Sequence, residues 1–343
     1  MATPISIPKT ALPEGFIARP PALDDIEAFV AMANASARDV IGNDEHTVEE
    51  SRIEWQDPSF NLETDARLVT TARGDIAGGV EVWSRPPHVR YWFWGRVHPA
   101  YRGQGIGAFL LEWAEARARQ AVHKAPQGAR VTAYVSTISS HDAATQLFDR
   151  KGFRPVRHFW TMAIDFDGPP PEPDWPPGIT VRTMVPGQDE RAVYLALDEA
   201  FRDHWGHVDT PLEAGLAQWL HRLENDEDFD PTLYFLAMDG DEIAGMSLCR
   251  PKITEFPGMG WVDELGVRRP WRRRGLALAL LRHSFGEFYR RGRRQVGLGV
   301  DAASLTGATR LYEKAGMRPI RQYDGYEKEL RPGLDLSTQA VEG

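Results

Sequence analysis

Cysteine is almost missing from this chain. Cys249 stands alone among 343 residues, so no internal disulfide can form. Such usage suits a reducing compartment and points to the cytoplasm. Long apolar runs are missing too: none reaches the length of a bilayer span, and the first residues lack the apolar stretch of a secretory signal. Secretion and membrane insertion are not expected. Positive charge is in deficit. The formal net charge is -9, which repels nucleic acid and anionic membranes, so any contact with a polyanion must be local. No group of His, Cys, Asp and Glu has the spacing of a metal site, and no metal is expected.

What is present is one plan written twice. "VHPAYRGQGIGAFLL" starts at Val97, and "VRRPWRRRGLALALL" starts at Val267. The same interval separates Val97 from Val267 and Arg102 from Arg272. Further on, "ATQLFDRKGFRPV" from Ala144 matches "ATRLYEKAGMRPI" from Ala308, at a slightly shorter interval. Landmarks repeated in one order indicate duplicated domains. Between the copies lies "DGPPPEPDWPPG", whose prolines fix φ and remove backbone donors, so it reads as a stiff linker. The expected division is a first domain over residues 1–167, a linker over 168–178 and a second domain over 179–343.

Each copy reads as a mixed α/β sheet with the order βααβββαβαββ. In the second, a strand over Ile179–Met184 precedes helices over Asp189–Arg202 and Leu212–Leu223. A hairpin turns at Asp239-Gly240, and "GWVDELGV" is the next strand. A helix from Leu276 to Arg291, the strand "RQVGLGV", a helix stopped by Gly316 and two short strands complete the copy.

Both loops fit Arg-x-x-Gly-x-Gly/Ala between a strand and a helix: Arg102, Gly105 and Gly107, then Arg272, Gly275 and Ala277. A helix start offers unpaired N–H groups and partial positive charge, and small residues let an anion approach the backbone. Arginine adds a planar fork of donors. The combination suits a pyrophosphate. A nuclear address or nucleic-acid patch would explain the five arginines of the second loop, but not its glycine and not the much less basic first loop. Gly103-x-Gly105-x-x-Ala108 echoes a dinucleotide-binding fingerprint, yet "HPAYR" intervenes between it and the strand. Helix starts with solvated arginines are the plain alternative, weakened by the second copy.

With "RGQGIG", "RRRGLA" and "LYEKAGM" in this order, nearly the whole chain resembles the GNAT superfamily of N-acetyltransferases as two tandem domains. The tandem layout is similar to that of mycothiol synthase and its relatives. The resemblance implies acetyl-CoA as acyl donor. Its acetyl and pantetheine parts would lie along the fourth strand, at Leu265, Gly266 and Val267, and its pyrophosphate on Arg272, Arg273, Arg274, Gly275, Leu276 and Ala277. In the first copy the matching residues are Val97, Arg102, Gly103, Gln104, Gly105, Ile106 and Gly107. An asparagine frequent in the superfamily is replaced by His141 and Leu305, so one cofactor contact is missing in both copies.

Acyl transfer to an amine needs a proton acceptor for the amine and a proton donor for the leaving thiolate. The resemblance places Tyr312 as that acid; the first copy has Phe148 instead. "GWVDELGV" offers Asp263 and Glu264, whereas "VRYWFWGRV" has no carboxylate. Strand alternation points Asp263 and Glu264 to opposite faces unless a bulge intervenes, and the superfamily pattern favours Asp263. Packing on the sheet for Tyr312 and pairing with a loop arginine for either acid are the structural alternatives. The acid that mycothiol synthase would imply falls on Trp261, which argues against desacetyl-mycothiol as acceptor. The second domain is therefore expected to be catalytic and the first not. The "RYWFW" cluster reads as core and surface between domains.

The acceptor side of the superfamily falls on "FRDHWGHVDTP", where His204 and Trp205 are placed to orient an amine or sugar. The expected enzyme is an acetyl-CoA-dependent N-acetyltransferase acting on the primary amine of a small molecule. A CoA-binding sensor or scaffold without turnover and a protein N-acetyltransferase are the alternatives. The acceptor's identity, the acyl length and the oligomeric state are left open.

Overall fold

The computed structural model describes residues 10–340. Each copy begins with a strand and a helical layer: β1 (Phe16–Arg19), α1 (Ile26–Ile41), α2 (Val48–Trp55) and α3 (Leu62–Asp65). A meander of β2 (Ala66–Thr71), β3 (Ile76–Ser84) and β4 (Arg90–Val97) follows, then α4 (Ile106–Ala121), β5 (Val131–Ile138), α5 (Asp142–Arg150) and β6 (Arg154–Asp165). The second copy runs β7 (Ile179–Thr183), α6 (Glu190–Phe201), α7 (Leu212–Asn225), β8 (Tyr234–Asp239), β9 (Glu242–Arg250) and β10 (Gly260–Val267). It ends with α8 (Leu276–Arg290), β11 (Gln295–Asp301), α9 (Ala308–Lys314) and β12 (Arg318–Arg331). The proline-rich stretch over 167–178 forms neither helix nor strand.

Two compact units result, and they do not divide where composition suggested. One comprises the chain up to Val156 with Tyr323–Leu336; the other comprises Arg157–Gln322 with the chain from Ser337. The expected boundary at residues 167 and 168 thus falls inside the second unit. In the first unit β12 pairs antiparallel with β5, Tyr326 opposite Val135. In the second, β6 pairs antiparallel with β11, Met162 opposite Leu298. The closing strand of each copy therefore lies in the unit built mainly from the other. Apolar alternation identifies a strand and leaves its neighbour open, so this exchange was not readable from the pattern.

The two short strands expected after Gly316 are one strand of 14 residues. It runs unbroken through Asp324-Gly325 because Gly325 lies opposite Ser136 on β5 and a Cβ there would sit 2.1 Å from the Tyr134 hydroxyl. The glycine makes room for a ring and does not make a turn.

Within the second unit, Leu276, Leu280, Leu281, Phe285 and Phe288 recur at helical spacing on α8 and pack with Phe235, Val296 and Leu298. On the other sheet face, Val193 and Ala196 of α6 join Leu236, Met246 and Leu248. In the first unit, Ile26, Phe29, Val30 and Met32 of α1 pack with Trp55 and Leu68. At about 25 cal/mol per Å² of buried apolar surface, these two-sided cores are the main favourable term. They hold the central strands as a rigid base for the loops.

Candidate active site

In the second unit, β10 and β11 are parallel neighbours over Gly260–Val262 and Val296–Leu298 only. Beyond that point the ladder ends and the strands part. β10 stays paired with β9 as far as Val267, but with one irregularity: Val262 lies opposite Cys249 and Glu264 opposite Leu248. Asp263 is the extra residue of a β-bulge, which bends the strand and re-aims its side chains. Both Asp263 and Glu264 consequently face one cavity of about 290 Å³. Its wall also includes Leu265, Tyr312 from α9, and His204 and Trp205 from the loop after α6. The side chains singled out for chemistry and for the acceptor thus meet in one place.

Their electrostatics follow from enclosure. The Glu264 carboxyl is pushed up to about 8, first by burial and then by the negative charge of Asp263, with Arg222 opposing. Asp263 is raised as well: protein surrounds it, although its side chain still opens to solvent through the cavity. Arg250 and Arg222 oppose that rise. Tyr312 is buried, and burial together with the Glu264 charge holds its phenol above the usual range, so it keeps its proton. Among the described residues its hydroxyl has no hydrogen-bond partner, and nothing competes for that proton. Burial, then the Arg272 charge, holds His204 below the usual histidine range. Cys249 is buried on β9 with its thiol pushed up to about 12 by burial, beside Ser247, which rules out a nucleophilic role at neutral pH.

The loop before α8 has a different geometry. Gly275 is the helix N-cap at φ 87°, and no side chain caps the helix. Arg273 also adopts a left-handed backbone, φ 64°, where the first copy has Gly103 at φ 77°. A non-glycine residue held there costs about 1 kcal/mol or more, a strain typical of functional loops. Arg273 and Arg274 are exposed and, among the described residues, make no ion pair. Free backbone donors beside two free guanidinium groups fit a diphosphate.

Arg272 is placed otherwise. It donates to the carbonyls of Val267 and Ala200, each at 3.0 Å, and pairs with Asp203, which Arg269 also holds. Arg102 does the same in the first unit, bonding Ser36 and Asp39. The first arginine of each loop therefore ties it to the end of the copy's first α-helix, a role spacing did not reveal. Gly266 is packed against α6, where a Cβ would meet Ala200 at 3.0 Å. Of the expected cofactor residues of the second copy, only Leu265 lines the 290 Å³ cavity; Gly266, Val267 and Arg272–Ala277 do not.

The first unit holds the larger cavity, about 560 Å³. Val97, Arg102, Gly103, Gly105, Ile106 and Gly107 line it, as do Trp94 and His141; Gln104 lies exposed at the loop tip. The "RYWFW" cluster is thus split between core, where Tyr91 and Phe93 are buried, and cavity wall. Here β3 and β4 pair without a bulge from Gly78–Val97 to Ser84–Tyr91. Phe148 occupies the place of Tyr312, and the cavity's carboxylate, Glu45, is ion-paired with Arg96. Volume favours the first unit, whereas proton-handling groups are found in the second. Chemistry requires those groups, so we take the second cavity as the candidate active site. Among the described residues, no cluster of His, Cys, Asp and Glu can hold a metal ion, and no helix is long and apolar enough to cross a membrane.

Comparison with known proteins shows the family. Residues 27–153 and 191–317 each match the acetyltransferase (GNAT) family. The chain belongs to that family as two tandem domains and is an acetyltransferase. The mycothiol acetyltransferase of Salinispora arenicola is 31% identical over 323 residues, covering 90% of this chain and 94% of its own. That of Paenarthrobacter aurescens is 30% identical over 270 residues, with 77% and 74% covered. A GCN5-related N-acetyltransferase from Sphaerobacter thermophilus, known from its crystal structure, is 42% identical with a TM-score of 0.76, covering 96% of this chain and 100% of its own. A tandem GNAT protein from the clavulanic acid biosynthesis pathway shares the fold at 14% identity and a TM-score of 0.67, with 93% and 99% covered.

Proposed function

We propose that this chain is an acetyl-CoA-dependent N-acetyltransferase that acetylates the primary amine of a small molecule, with catalysis in the second unit. The observation that carries the reading is the bulge at Asp263, which brings two carboxyl groups onto the cavity that the Tyr312 phenol also lines. When bound, acetyl-CoA supplies an activated acetyl thioester. The uncapped start of α8, with Arg273 and Arg274, holds its diphosphate. Asp263 or Glu264 accepts the proton of the attacking amine, directly or through a water. Tyr312 gives its proton to the departing sulfur as the new C–N bond replaces the C–S bond, and solvent restores the phenol. Asp263, where ionised, favours a cationic amine in the cavity, and Trp205 offers a flat apolar wall to the rest of the acceptor. The mycothiol acetyltransferase names of the relatives support a small-molecule acceptor. Trp261, where an acid would be expected for desacetyl-mycothiol, speaks against that particular one.

Calorimetry with acetyl-CoA, followed by thiol release across a panel of amino sugars, aminothiols and amino acids, tests the reading. Amine-dependent release is expected. Tight binding of acetyl-CoA with no amine-dependent release anywhere in the panel would instead make the protein a CoA-binding sensor. That outcome has its own structural motive in the first unit, whose complete loop borders a cavity without a free carboxylate.

A further inference from the structure

The loop over 202–210 is connected to a segment far away in the sequence. The Gly206 amide donates to the Thr338 carbonyl and the Thr338 amide to the His207 carbonyl, each at 2.8 Å. The Thr338 hydroxyl donates to the Arg202 carbonyl at 3.1 Å. The Trp205 indole N–H donates to Gln339 Oε1 at 3.0 Å. All of these groups belong to the second unit. The loop is a run of turns and irregular backbone between α6 and α7, tied at Asp203 to Arg269 and Arg272, with Asp209 exposed.

A second set of contacts leads from Trp205 into the cavity. The Arg157 guanidinium lies 5.1 Å from the centre of the Trp205 ring. Arg157 Nε donates to both Asp301 oxygens at 3.0 Å, and its Nη2 donates to the Ala303 carbonyl at 2.8 Å. Trp205 and Asp301 both line the 290 Å³ cavity. Gln339, itself outside that cavity and exposed, bonds the indole, and the indole lies against the guanidinium that pairs with Asp301.

We propose that residues 337–340 form a strap that fixes the acceptor-side wall, with Gln339 a positioning residue acting through Trp205. The inference rests on the proposed function only for its catalytic consequence; the strap itself stands on the bonds above. Two bonds between backbones and two from side chains, all to one short loop, exceed what a casual surface contact supplies. They hold the middle of the loop, beyond the point where Asp203 is tied to Arg269 and Arg272. A wall held in one rotamer presents the acceptor amine in a reactive geometry, and small misplacements there cost rate.

Four variants test this: Gln339→Ala, Gln339→Glu, Thr338→Pro and Trp205→Phe. Thr338→Pro removes both the amide that donates to His207 and the hydroxyl. Amide exchange of the Gly206 region is expected to accelerate about tenfold in Thr338→Pro. With glucosamine as probe amine, Gln339→Ala, Thr338→Pro and Trp205→Phe are expected to raise its KM about fivefold and leave that of acetyl-CoA within about twofold. Gln339→Glu keeps an acceptor oxygen for the indole and is expected to behave as wild type. Unchanged exchange at Gly206 overturns the strap. Faster exchange with glucosamine KM and amine-independent CoA release both at wild-type values overturns the positioning role. A loss shared equally by both substrates and by thermal stability overturns it too, since that marks a general packing defect. Failure of the proposed function looks different: Asp263→Asn, Glu264→Gln and Tyr312→Phe would leave CoA release intact while the exchange result still decides the strap.

Discussion

Asp263 and Glu264 are neighbours in the chain, yet they line the same cavity, because only Glu264 has a cross-strand partner and Asp263 is the added residue of a bulge. Regular alternation would have sent one of them to the opposite face. The bulge therefore brings onto one cavity two carboxyl groups for which the first copy has no counterpart in its matching strand.

Tyr312 is the first test of that division. Tyr312→Phe is expected to lower kcat about 100-fold or more, the usual worth of a positioned proton donor, with the acetyl-CoA KM little changed. Stopped-flow thiol release measures both. An unaltered kcat would remove Tyr312 as the acid.

The carboxyl pair predicts a pH profile. Glu264, raised to about 8, is mostly protonated at neutral pH. If it is the base, kcat/KM climbs with pH through that value, and Glu264→Gln abolishes the climb. Loss of activity at every pH in Asp263→Asn, with the climb intact in Glu264→Gln, would instead assign the base to Asp263.

The same shift has a consequence for stability. A carboxyl raised from 4.5 to about 8 holds a proton in the folded state that the unfolded chain has already released. Between those values the unfolded state binds fewer protons, so stability falls as pH rises. Glu264→Gln is expected to flatten that fall and to gain about 1–2 kcal/mol at pH 8 relative to pH 5, discounted because the carboxyl touches solvent. Chemical denaturation at both pH values checks it.

Asp203 shows the opposite sign. Arg269 and then Arg272 hold it well below the usual carboxylate range. Its contribution is present above its unfolded value and lost as pH falls below about 4. Asp203→Asn is expected to cost about 2 kcal/mol at pH 7 and to loosen the loop through Arg272. The acetyl-CoA Kd, measured by calorimetry, should weaken with it.

Two left-handed positions in the loop before α8 separate strain from charge. Arg273→Gly relieves the φ 64° backbone and removes a cation. Stability is expected to rise by about 0.5–1 kcal/mol while the acetyl-CoA Kd weakens several-fold. Gly275→Ala, at φ 87° in open space, is expected to destabilise by about 1–2 kcal/mol through backbone strain alone.

Much of this was legible in the chain. Repeated landmarks announced two domains, and apolar periodicity placed the second copy's helices within a few residues of their ends. Arginine-glycine spacing located both loops, and the contrast of Tyr312 with Phe148 suggested which copy handles protons. These features are local: they depend on which residues follow one another, and side-chain period and glycine freedom translate directly into sequence. Three things were not local. The tertiary structure exchanged the closing strands of the two copies, committed Arg102 and Arg272 to holding their loops in place, and inserted the bulge that turns Asp263 and Glu264 onto one cavity. Each depends on which backbone or carboxylate lies alongside in space. A strand's neighbour, an arginine's partner and a ladder's register are chosen by packing across the fold, and no interval along one chain records that choice.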